Sequence, residues 1–262
     1  MTTITQHAQG TFCWPELSTT DSSAAKKFYG SLLGWKYRDN DMGPGGVYTI
    51  FMLDDRDAAA GFTQMQQSGT AAVPPFWGAY IAVDDADAAA ANAESLGGQI
   101  VQAPFDVMDL GRMAVIKDPV GATFCAWQAK KHVGVGVLSE PGALGWTQLN
   151  AATPERAKPF YTGLFGWTFR DDPMPSGGVY TTWLRSDSAP AGGMMAMPPE
   201  VTAPSHWLSY FIVPDIERAH AQATLLGAKT FVPPKDAGGG LRFAVLADPQ
   251  GAAFGLMTAM PA

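Results

Sequence analysis

The sequence predicts an α+β protein built as two tandem modules, and three observations carry that reading. The first is internal repetition. Trp14-Pro-Glu-Leu, Phe28-Tyr29, Leu33-Gly34-Trp35 and Gly45-Gly46-Val47-Tyr48 return 132 residues later as Trp146-Thr-Gln-Leu, Phe160-Tyr161, Phe165-Gly166-Trp167 and Gly177-Gly178-Val179-Tyr180. Phe76-Trp77, Tyr80, Val83-Asp84-Asp85, Arg112, Asp118-Pro119 and Gly121-Ala122 return 130 residues later as His206-Trp207, Tyr210, Val213-Pro214-Asp215, Arg242, Asp248-Pro249 and Gly251-Ala252. The second is the period itself, which far exceeds the roughly 20–50 residues of a solenoid repeat and therefore marks a duplicated domain. The third is that each copy alternates β-rich runs with two helical segments.

Within the first copy, residues 12–17 read as a strand. Asp21 is placed to cap a helix running to Leu33, and Gly34 supplies the left-handed residue that stops it. Phe28, Leu32 and Leu33 fall at helical spacing and should face the core. In the second copy Thr153-Pro154-Glu155 offers a cap, a proline in the first turn and an acidic residue near the positive helix end. Residues 47–53 and 62–65 read as strands separated by a turn rich in Asp and Ala. Tyr80-Ile-Ala-Val is a further strand, leading into Asp84-Asp85 and an alanine-rich helix that ends at Leu96-Gly97-Gly98. Strands at 99–101, 113–116 and 123–128 complete the copy. Each module is βαβββ followed by βαβββ, with the first module over residues 8–130, a linker over 131–143 with a strand of its own a further option, and the second module over 144–260.

Composition narrows the function. The chain has 262 residues, 47% hydrophobic and 16% charged, which suits two globular domains with real interiors. A net charge of −7 offers no basic face for nucleic acid or anionic lipid. No apolar run approaches the roughly 18–20 residues of a membrane helix, and the N-terminus lacks the pattern of a signal peptide. Cys13 and Cys125 both fall in the first module, so they are expected as free thiols in a reducing cytoplasm rather than as a repeated disulfide framework.

Phe-Tyr-x3-Leu/Phe-Gly-Trp, Val-Asp/Pro-Asp and Asp-Pro-x-Gly-Ala at these separations resemble the vicinal oxygen chelate superfamily, which includes glyoxalase I, extradiol dioxygenases and bleomycin-resistance proteins. Trp14-x-Glu16-Leu17-x-Thr19-Thr20-Asp21 looks most like the tandem glyoxalase-like proteins of actinobacteria. The resemblance implies that the two βαβββ units of each module form curved sheets around a cleft. It also implies metal-ligand positions in metal-dependent members that correspond here to Trp14, Gly78, Cys125 and the 61–65 strand, and in the second module to Trp146, Leu208, Gly255 and the 193–197 strand. Neither set offers two hard or borderline ligands, so no metal and no other cofactor is expected. His7 and His132 lie in tail and linker, His220 on a helix, and His206 at a strand entrance.

Alternation across a strand puts Glu16 and Ser18 on the face of Trp14, Gln148 and Asn150 on that of Trp146, and Trp127 on that of Cys125. The two tryptophans at ligand positions either wall a binding site for a planar molecule or plug a disused cleft. Trp77 and Trp207 face either the cleft mouth or the core. Glu16 is the one candidate acid or base, its alternative being a bond to strand-end backbone amides. Arg112 and Arg242 bind a ligand anion, or pair with Asp106 and Asp236 or with the opposite module. Cys125 lacks an evident histidine partner. The loops from Asp39 and Asp171, with Met65, Met194, Met195 and Met197, are expected to close over the pocket as adaptable apolar surface.

Three functions compete: a metal-free binding protein for a hydrophobic or aromatic natural product, serving sequestration, resistance or a biosynthetic oxygenase; an enzyme, either a glyoxalase-type lyase or isomerase or a catalyst using Glu16; and an interaction module with filled clefts. The duplication suits a monomer or a homodimer.

Overall fold

A computed structural model describes residues 3–64, 73–174, 177–199 and 201–259. The first module runs β1 (Phe12–Thr19), α1 (Ser22–Leu33), β2 (Lys36–Asp41), β3 (Val47–Leu53), β4 (Arg56–Thr63), β5 (Phe76–Ala82), α2 (Ala86–Ser95), β6 (Gln99–Val107), β7 (Gly111–Lys117) and β8 (Thr123–Ala129). The second repeats it as β9 (Leu144–Ala151), α3 (Lys158–Phe165), β10 (Thr168–Pro173), β11 (Val179–Leu184), β12 (Pro190–Ala196), β13 (His206–Ile212), α4 (Ile216–Leu225), β14 (Lys229–Gly238), β15 (Leu241–Ala247) and β16 (Ala253–Met257).

Each module is one curved eight-stranded sheet, ordered β2-β3-β4-β1-β5-β8-β7-β6 in the first and β10-β11-β12-β9-β13-β16-β15-β14 in the second. The opening strands of the two βαβββ units meet antiparallel at the centre, Trp14 opposite Tyr80 and Glu16 opposite Gly78. Each unit then closes parallel on its own last strand, β1 on β4 and β5 on β8.

Local chemistry accounts for most of the elements. Asp21 accepts the Ala24 amide at 2.9 Å, and Gly34 adopts the left-handed conformation (φ 75°) that ends α1. Asp85 and Asp215 cap α2 and α4 in the same way. Three expectations need correction. Thr153 makes no side-chain cap; Pro154–Arg156 forms a single 3-10 turn, and the helix behind it is eight residues against twelve in the first module. The Asp- and Ala-rich stretch expected as a turn is the strand β4, whose Ala58, Ala59 and Ala60 are fully buried because small side chains fit the crowded sheet centre. The linker forms no strand of its own.

One face of each sheet carries the helices, and the two modules pack together through these faces. A single apolar core joins Phe28, Trp35, Phe51 and Trp77 to Phe160, Trp183, Phe211 and Phe254 across the boundary. Tyr29 and Tyr161 are its centre. Tyr29 donates to Asp248 at 2.9 Å and Tyr161 donates to Asp118 at 2.8 Å, each reaching the turn of the opposite module. The same aspartates cap their own turns through Oδ1, which accepts the amides of Val120 and Ala122 or of Gln250, Gly251 and Ala252. The Asp-Pro motifs thus do more than shape a turn. With the helix faces buried, both cleft faces look away from one another.

Candidate functional site: two outward clefts lined by indoles and phenols

A bulge at Cys13 in β1 is what aims the first cleft. Register shifts between Phe12 and Trp14, so Phe12 enters the inter-module core while Trp14 turns to the opposite face with Glu16. There Trp14 packs with Ile50, Tyr80, Met113 and Trp127, and Tyr48 and Cys125 lie partly buried against them. Glu16 is half-buried at the centre. Its two oxygens accept from Tyr48 at 2.5 Å and from Tyr80 at 2.7 Å, and the Tyr48 hydroxyl in turn accepts the Trp14 indole N–H at 3.2 Å. Glu16 therefore bonds phenols rather than strand-end amides. Burial pushes its carboxyl above the ordinary value, against the opposing pull of the two hydroxyls. Burial and the adjacent carboxylate raise Tyr48 and Tyr80 well above the usual phenol, so both remain proton donors to Glu16. Cys125 shares the face, and burial followed by the Glu16 charge raises its thiol, which disfavours the thiolate that a nucleophile requires.

The second cleft repeats the indole and phenol but not the carboxylate. Trp146 donates to Tyr180 at 2.7 Å. Gln148 replaces Glu16 and donates to Asn150 at 2.7 Å, and Asn150 lies 3.3 Å from the His206 ring nitrogen. Two glycines make room for the tyrosines. A Cβ on Gly193 would overlap the Tyr180 hydroxyl, and one on Gly255 would overlap the Tyr210 ring. At one of the inherited ligand positions, then, a phenol ring fills the space a liganding side chain needs.

Several expected site residues lie elsewhere. Trp77 and Trp207 face the inter-module core: the Trp77 N–H donates to Tyr29 at 2.9 Å, and Trp207 meets Tyr161 edge-on at 5.6 Å. Neither lines a cleft. Arg112 lies at the surface in a bidentate pair with Asp87 (2.6 and 2.8 Å) and 3.5 Å from Asp106, so its charge is committed to carboxylates. Arg242 pairs with Glu217 rather than with Asp236. Trp127 does face the cleft, anchored by its N–H to the His132 carbonyl at 3.0 Å. Met195 is half-buried, Met197 follows β12 with its amide on Ala151, and Met194 turns into the core; Met65 and part of the second loop lie outside the described residues.

Sequence reasoning missed Tyr48, Tyr80, Tyr180 and Tyr210, although all four sit in the repeated motifs and two share strand parity with Gly78 and Leu208. It also missed His132, whose ring stands edge-on to Trp14 at 4.3 Å; no local pattern could place a linker residue there.

The donor set does not fit a divalent metal of the kind the superfamily binds. Trp14 and Gly78 offer no ligand atom, Cys125 is a partly buried thiol held in its protonated form, and Glu16 is already bonded through both oxygens. No group of three or more His, Cys, Asp or Glu residues suited to a metal occurs among the described residues.

Fold and cleft together define a tandem member of the glyoxalase class, and sequence comparison agrees. Residues 8–126 match the Glyoxalase/Bleomycin resistance protein/Dioxygenase superfamily and residues 146–257 the Glyoxalase-like domain, so the chain belongs to that superfamily. It is 41% identical over 257 residues to the "Putative glyoxylase CFP32" of Mycobacterium tuberculosis, covering 98% of this chain and 97% of the relative. It is 33% identical over 267 residues to the "Anthracycline biosynthesis protein DnrV" of Streptomyces peucetius, covering 97% and 95%. Among solved structures, the Mn(II)-bound glyoxalase from Novosphingobium aromaticivorans superposes with a TM-score of 0.67 at 14% identity, covering 100% of this chain and 84% of that one. The 2,3-dioxygenase LapB from Pseudomonas sp. KL28 gives 0.64 at 15%, covering 100% and 94%. These structural likenesses concern the fold.

Proposed function

We propose that the chain is a metal-independent binding protein for a hydrophobic, aromatic natural product, taken up in the first-module cleft. The observation that carries this reading is the Trp14–Tyr48–Glu16–Tyr80 network, a packed aromatic cluster with one convergent polar centre that includes Trp14, one of the positions the resemblance assigns to a metal ligand. Indole and phenol faces stack on planar ligands, and Glu16 accepts hydrogen bonds from ligand hydroxyls in exchange for those of the tyrosines. The relative named for anthracycline biosynthesis supports a polycyclic aromatic ligand.

Titration of the whole chain with a planar anthracyclinone, read by tryptophan quenching, tests the reading. Saturable quenching that weakens about tenfold in Trp14→Ala is expected, together with substoichiometric transition metal by elemental analysis. A stoichiometric, tightly held metal or an absence of saturation overturns it.

The raised Glu16 carboxyl favours a second reading, acid–base catalysis in the same cleft. Glu16→Gln separates the two: a catalyst loses turnover while keeping affinity, whereas a binding protein shows no turnover to lose.

A further inference from the structure

In the first module the parallel strands β1 and β4, the first and last of its opening unit, are not paired along their whole length. Their parallel register begins at Glu16 opposite Ala60, and before that point they diverge. The linker fills the gap. Val135 donates its amide to the Cys13 carbonyl of β1 at 2.8 Å, and Gly136 donates to the Asp57 carbonyl of β4 at 2.7 Å, so consecutive residues stitch the two sides. Val135 and Val137 are essentially fully buried in the wedge. Arg56, from the β3–β4 hairpin, then grips Glu140 through two contacts of 3.0 and 2.9 Å.

The second module diverges at the same place. Register between β9 and β12 begins at Gln148 opposite Gly193. Ahead of it lies a groove of about 250 Å³, whose lining includes Phe12, Leu144, Trp146, Arg185, Pro190 and Ala191. Gly145 and Pro190, the counterparts of Cys13 and Asp57, border this groove. Leu138 and Ser139 of the linker and Thr11 and Phe12 of the first module border it, and Ser139 donates to the Leu144 carbonyl at 2.9 Å, but among the described residues no loop segment bonds Gly145 or Pro190 as the linker bonds Cys13 and Asp57. Arg185, from the hairpin corresponding to that of Arg56, stands beside it, held by Thr11 at 3.0 Å and by Asp187.

We propose that this groove docks an extended peptide segment of a partner protein, with a Val-x-Val pair that enters between β9 and β12 and an acidic side chain three residues further on that meets Arg185. The internal duplication supplies the template: the same sheet, opened at the same register, is completed in the first module by Val135-Gly136-Val137 and sealed by Glu140. Backbone amides of the guest would supply the bonds and its valines the buried area, as in strand-addition modes of peptide recognition.

Titrating the whole chain into a fluorescein-labelled octapeptide, Val-Gly-Val-Gly-Val-Leu-Ser-Glu, with anisotropy as readout, tests this. Saturation below millimolar concentration is expected, weakened about tenfold by Ala191→Trp, which fills the groove. Arg185→Ala and a peptide ending in Gln should each weaken binding about threefold, without adding when combined. Because Ala191→Trp could disturb the strand, the surface-side Arg185→Ala provides an independent arm. A peptide that fails to saturate, or that binds both variants as tightly as the parent, overturns the proposal.

Discussion

Glu16 is a half-buried carboxyl whose two oxygens accept from phenols and from nothing charged. Its pKa in the folded chain lies above the ordinary value because burial outweighs the two hydroxyls. The folded state therefore holds more protons than the unfolded one between the two pKa values, and stability falls as pH rises through the folded pKa. Glu16→Gln removes that dependence, as Gln148 does naturally in the second module. The difference in melting temperature, variant minus parent, should accordingly climb from pH 4 to pH 8 in a thermal-unfolding series. A flat difference would mean that the carboxyl is as well solvated as in the unfolded chain. The opposite cleft makes a complementary point about space. Gly255→Ala forces a methyl group into the Tyr210 ring and should cost about 1–3 kcal/mol by denaturant unfolding. Both residues were legible in part: parity placed Glu16 beside Trp14, but the phenols that define its chemistry come from strands 32 and 64 residues away and are seen only once the sheet closes.

At the level of elements, the caps, the helices and the inward strands were readable because each carries a local physical signature. The strand β2 was not. Its Lys36-Tyr-Arg-Asp-Asn-Asp sequence is charged and nearly all exposed, since it forms the sheet's outer edge and has no buried face to write an apolar alternation. Such charge also guards an edge against pairing with other chains. The linker misled in a different way: its Val-Gly-Val-Gly-Val pattern looks like a flexible connector or a short strand, yet it serves as packing for the first module. Replacing Val137 with Ala should destabilise the chain by about 1–3 kcal/mol, measured by urea denaturation, where a true connector would show a change near zero. Trp77 and Trp207 were undecidable from the sequence because a strand between a cleft and a core is apolar on both faces, so periodicity loses its contrast.

At the scale of the molecule, each module's Asp-Pro turn carries an aspartate whose second oxygen, among the described residues, accepts from a tyrosine of the other module. Tyr29→Phe leaves Asp248 short of a donor and the Trp77 indole N–H without its acceptor, and Tyr161→Phe deprives Asp118. Each should cost about 1–3 kcal/mol by thermal or chemical unfolding. A loss in either one should lower the single transition of the whole chain instead of splitting off one half. The exchange of hydroxyl for carboxylate across the boundary thus makes two copies of one fold a single thermodynamic unit. Severed at the linker, neither half would be expected to stand by itself in dilute solution; mixed, the pieces should find each other and regain the melting profile of the uncut polypeptide.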